Sequence, residues 1–88
     1  MTDKDIYRDL ERLKEEINKS ISPDSPTRDS LIALVNDVEK RVEEPLDEDQ
    51  KDNVMENIRE AISRFETEHP RATAILNDIM VTLSNMGI

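Results

Sequence analysis

His69 is the only histidine of this 88-residue chain, and Glu66 and Glu68 stand beside it. An imidazole with two carboxylates is the smallest set that could begin a metal site or a general acid–base pair. First-row metals ordinarily take two or more His or Cys ligands, and the chain has no cysteine to add. His69 also precedes Pro70 at an apparent helix break, where a junction residue needs no catalytic explanation. The run Asp47–Asp52 (DEDQKD) has the look of a calcium loop. From Asp47, however, position 5 is Lys51 and position 6 is Asp52, where an EF-hand places an oxygen ligand and a glycine. Serines at 20, 22, 25, 30, 63 and 84 have one histidine among them and no glycine elbow, so no triad follows. The carboxylates are so many that their pairing carries no information. The expectation is a non-enzymatic protein with no catalytic residue, no metal site and no cofactor.

The elements that would position these side chains are helices. The single glycine is Gly87, and tight β-hairpins or phosphate-cradling loops need glycine at positive φ. Ile, Leu, Val and Phe make up 22 of the 88 residues, above the level of about 20% below which a charged chain stays unfolded. Ile6, Leu10, Leu13, Ile17 and Ile21 fall at steps of four, three, four and four, one stripe of an amphipathic helix over about Asp3–Ser20. Its remaining charges, including the Asp5–Asp9 and Lys4–Arg8–Arg12 rows, read as a solvated face of mixed sign. Ser25-Pro26 is a helix start, with serine as N-cap and proline at the first helical position. The second helix carries a broader stripe (Leu31, Ile32, Leu34, Val35, Val38, Val42), wide enough for two neighbours, and ends at Glu44 before Pro45. Asp47 and Gln50 fit a capping box for a third helix, whose inward residues are Val54, Met55, Ile58, Ala61, Ile62 and Phe65. His69-Pro70 marks a kink or a restart.

The last segment differs. Residues 70–88 hold one base, Arg71, and one acid, Asp78, while the whole chain carries −9. Their apolar residues spread over most of a helical circumference, as in a helix covered on several sides. Gly87 fits the position just past a helix end, with Ile88 folding back toward Leu83. The expected fold is therefore all-α: one domain over residues 1–88, a small bundle of three amphipathic helices plus an apolar C-terminal helix, with self-association as one way to complete it. Ile75, Leu76, Ile79, Met80, Leu83 and Met86, with Phe65, are the expected interaction surface, toward a second copy or an unknown protein partner.

A net charge of −9, with only Tyr7 and Phe65 aromatic, disfavours nucleic-acid and anionic-membrane partners. The alternative function is an acidic regulator that binds a basic partner or mimics nucleic acid, because residues 46–69 alone carry eight acids and three bases. The N-terminus lacks the apolar run of a signal peptide, so the expected location is the cytoplasm.

The C-terminal third resembles a family of short bacterial proteins classed only as a domain of unknown function. The resemblance is carried by Phe65, Glu66, His69 and Pro70 (Phe-Glu-x-x-His-Pro) and by Leu83, Asn85, Gly87 and Ile88 (Leu-x-Asn-x-Gly-Ile). It covers Arg64–Ile88 specifically and the first half by length and pattern. It implies a bacterial all-helical protein and supplies no activity, cofactor or site residue.

Overall fold

The computed structural model describes the backbone of residues 3–43 and 48–85 and the side chains of residues 4–43 and 53–85. Four helices follow one another: α1 (Asp3–Ser20), α2 (Pro26–Glu43), α3 (Glu48–Phe65) and α4 (Pro70–Asn85). Each packs on its sequence neighbours, and α1 closes the ring against α4. Among the described residues no diagonal pair packs. The principal extents of 33 × 24 × 19 Å are those of helices about 27 Å long, two across in each direction, at a helix diameter of about 10–12 Å. The result is the expected all-α bundle.

Local chemistry sets the helix ends. The Ser25 side-chain oxygen accepts from the Thr27 backbone N–H at 3.2 Å, and the Ser25 carbonyl accepts from Arg28 N–H at 3.1 Å. Ser25 is thus the N-cap of α2, and Pro26 supplies the preset φ of the first turn. Between α3 and α4 the chain breaks rather than bends. The His69 N–H donates to the Phe65 carbonyl at 2.7 Å, and the His69 carbonyl accepts from Thr73 N–H at 3.1 Å. His69 is therefore the N-cap of a separate helix, with Pro70 at its first position. The proposed cap Asp47–Gln50, and the closing turn at Gly87 and Ile88, lie outside the described residues.

The core is built from the predicted stripes. Ile6, Leu10, Leu13, Ile17 and Ile21 are buried on α1 and just beyond it, with Leu31, Leu34, Val35 and Val38 on α2 and Val54, Ile58, Ala61 and Phe65 on α3. Ile32, Val42, Met55 and Ile62 pack partly buried at its edge.

Two placements, those of Asp9 and α4, differ from expectation, and the burial of Arg41 had no expectation to meet. Asp9, read as part of a solvated row, is buried, because its row faces α4. Arg41 is buried in the last turn of α2, where positive charge suits the helix dipole. Finally, α4 is not surrounded. It is one corner of the ring, touching only α1 and α3, so Ala72, Thr73, Ile75, Leu76, Ile79, Thr82 and Leu83 turn inward while Ala74 and Val81 face out.

No described helix is long and apolar enough to cross a membrane.

Candidate functional site: the α1–α4 face

Of the residues expected to form an interaction surface, Phe65, Ile75, Leu76, Ile79 and Leu83 are in the core of the single chain. Met80 is partly buried against that core, and Met86 lies outside the described residues. Burying Leu76, Ile79 and Leu83 completely within the bundle leaves them nothing to offer a second molecule. The correction has a simple cause. Two neighbours cover two flanks of α4, so one wide apolar arc is used up inside the molecule. What α4 presents outward is the narrow remainder: Ala74, Asn77, Asp78, Val81, Ser84 and Asn85. Val81 is 49% exposed, more than any other large apolar side chain described.

That remainder joins the charged flank of α1 in one face. Helices α1 and α4 run antiparallel, and a polar seam joins them at mid-height. The Thr82 hydroxyl donates to Asp9 Oδ2 at 3.0 Å, a buried bond. Arg12 Nη1–H is shared between Asp9 Oδ1 and Asp78 Oδ2, each at 3.3 Å. The Asp9 carboxylate, with its side chain 13% exposed, thus has donors for both oxygens, as a nearly buried charge requires. The Arg12–Asp78 pair is about half exposed on both sides and adds little stability by itself.

Shallow depressions lie on either side of the seam. One, of about 410 Å³, is walled by Arg12, Glu16 and Lys19 of α1 and floored by Ala74 and Ile75 of α4, with Arg71 at its end. The other, of about 350 Å³, lies between Asp5 and Arg8 of α1 and Val81 of α4. Farther along the groove, His69 borders a third depression with Glu16, Ser20 and Glu68, and the Ser20 hydroxyl donates to the Glu16 carboxylate. Two hydroxyls at these depressions donate to carboxylates, Ser20 to Glu16 on the surface and Thr82 to Asp9 in the buried seam, and among the hydrogen bonds described no imidazole joins either pair. Among the described residues no three His, Asp or Glu side chains gather in a way that could hold a metal ion. The arrangement suits recognition: open, mixed in charge, with one exposed apolar knob.

Sequence reasoning had singled out α4 but not its exposed flank, and had not placed α1 in the same face. The signal available was the coincidence of Ala74, Asn77, Val81 and Ser84 on one uncharged side of the helix.

No curated protein and no solved structure matches the chain. A family model does match, over residues 6–88, so that the likeness extends well beyond the C-terminal third and takes in all four helices. The chain belongs to the family DUF4404, a domain of unknown function.

Proposed function

We propose that this protein is a small non-enzymatic helical interaction module that associates with a second copy of itself through the outer flank of α4. The observation that carries the reading is Val81, 49% exposed on a helix whose only charges, Arg71 and Asp78, sum to zero in a chain of net charge −9. Like-charged molecules repel over most of their surfaces. They approach at least cost where the local charge vanishes and apolar surface is on offer. The acidic-regulator alternative draws on the net charge and on its concentration in residues 46–69. On α3, Arg59 stands beside the exposed acids Glu56 and Glu60 and pairs with Glu56 at 3.6 Å, which offsets part of the acidic charge that a basic partner would meet there.

Light scattering coupled to size exclusion tests the proposal. The expected mass at tens of micromolar is about twice that of the 10.2 kDa chain, and Val81→Glu should return it to that of one chain. A wild-type protein that stays at 10.2 kDa throughout this range refutes it.

A further inference from the structure

We infer that the partner copy docks antiparallel on the α1–α4 face, about a two-fold axis beside the Arg12–Asp78 pair, with Val81 of each copy seated in the depression over Ala74 and Ile75 of the other. This arrangement rests on the self-association proposed above and specifies its geometry.

The charges along α1 are ordered about Arg12. Asp5 and Lys19 stand seven residues on either side of Arg12, and Arg8 and Glu16 stand four on either side. Each pair is opposite in sign. A two-fold axis perpendicular to the helices at Arg12 reverses α1 along its length. It therefore sets Asp5 against the partner's Lys19, about 10 Å from the axis, and Arg8 against the partner's Glu16, about 6 Å from it, at 1.5 Å of rise per residue. All four pairs across the interface are attractive. Two positions depart from the pattern: Arg12, which the axis sets against the partner's own Arg12, and Asp9, which it sets near the partner's Glu15. Asp9 is withdrawn from the surface, however, its oxygens taken by Thr82 and Arg12.

The shape of α4 fits the same axis. On α4, Ala74 and Val81 lie four residues before and three after Asp78. The same axis exchanges their positions and brings the exposed Val81 over the partner's Ala74. The depression there, about 410 Å³ with Ala74 and Ile75 among its lining residues, gives a valine somewhere to go because residue 74 has only a methyl group. The operation repeats the contact twice, as an isologous interface must. At the axis, each Arg12 uses only Nη1 for its own Asp9 and Asp78, which leaves guanidinium donors for the partner's Asp78.

The face does not suit a partner of one sign of charge. Its outward bases are Arg8, Arg12, Lys19 and Arg71. Its outward acids are Asp5, Glu15, Glu16 and Asp78, so the signs balance. A uniformly basic or uniformly acidic partner meets as much repulsion as attraction there. A surface that is neutral overall and antisymmetric about its centre complements a copy of itself. Two helices about 24 and 27 Å long and about 10 Å wide offer roughly 500 Å² per copy, at the low end of specific interfaces, so the dimer is expected in the micromolar range.

The chain contains no cysteine, which makes site-directed cross-linking clean. Ala74→Cys and Val81→Cys are prepared separately, then mixed in equal amounts and oxidised at tens of micromolar. The inferred geometry sets position 81 of one copy within disulfide reach of position 74 of the other. Within one copy the two positions are two helical turns apart, about 10 Å, and each position is about that far from its own equivalent across the axis, too far to bridge. A covalent dimer on a non-reducing gel is therefore expected from the mixture and not from either variant alone. If the wild type dimerises by light scattering yet the mixture cross-links no better than the separate variants, this geometry is overturned and self-association stands. A monomeric wild type overturns both. Circular dichroism of each variant checks that the helices are intact, and both substitutions fall at exposed positions.

Discussion

Thr82 and Asp9 show how much a single buried bond can decide in a bundle this small. The carboxylate is nearly out of solvent, and one of its oxygens accepts only the Thr82 hydroxyl among the hydrogen bonds described. Thr82→Val keeps the shape of the side chain and removes the proton donor, leaving a charged acceptor short of a partner. Such a loss costs about 1–3 kcal/mol, and urea unfolding of the variant should show a decrease in that range. A decrease under about 0.5 kcal/mol would mean that water reaches Asp9 and the seam is not sealed. Neither Asp9 nor Arg41 was legible as a buried residue in the sequence. A charged residue near an apolar stripe looks the same whether its flank meets water or another helix, and the periodicity of one helix does not say which flank its neighbours occupy. His69 was more readable. Its place just before a proline indicated a junction, and its carbonyl accepts the first hydrogen bond of α4.

Helix by helix, the apolar patterning carried most of the fold. The α1 stripe is buried residue for residue, and the Ser25-Pro26 start is realised by the hydrogen bonds its types can make. The broad α2 stripe does serve two neighbours, α1 and α3. For α4 the same reasoning overshot. Apolar residues over most of the circumference suggested a helix covered on several sides, yet a corner helix in a ring has only two neighbours, and alanine and valine sit outward at 74 and 81. The two kinds of position on α4 should therefore respond in opposite ways. Leu76→Ala empties a fully buried site and should cost about 2–5 kcal/mol. Val81→Ala removes exposed methyl groups and should change stability by no more than about 0.5 kcal/mol. Thermal unfolding at about one micromolar, below the range where association dominates, measures both. Comparable losses would place Val81 in the core and take away the surface on which association depends.

For the molecule as a whole, charge and association pull against each other, and ionic strength tells them apart. Each chain carries −9, so two copies repel at distances longer than any local contact. The Debye length falls from about 30 Å at 0.01 M salt to about 8 Å at 0.15 M. Over that change the repulsion between two bodies of 33 × 24 × 19 Å is largely screened. The Val81 contact is apolar and does not weaken, and the pairs between α1 helices sit at the solvated rim, where ion pairs contribute little. Self-association should therefore tighten as salt rises from 0.01 to 0.15 M, read as a smaller dissociation constant in sedimentation equilibrium. An acidic regulator holding a basic partner behaves in the opposite way, since screening removes the attraction that forms the complex. A dissociation constant that grows with salt would mean that the pairs along α1, rather than Val81 and the neutral flank of α4, hold the two copies together.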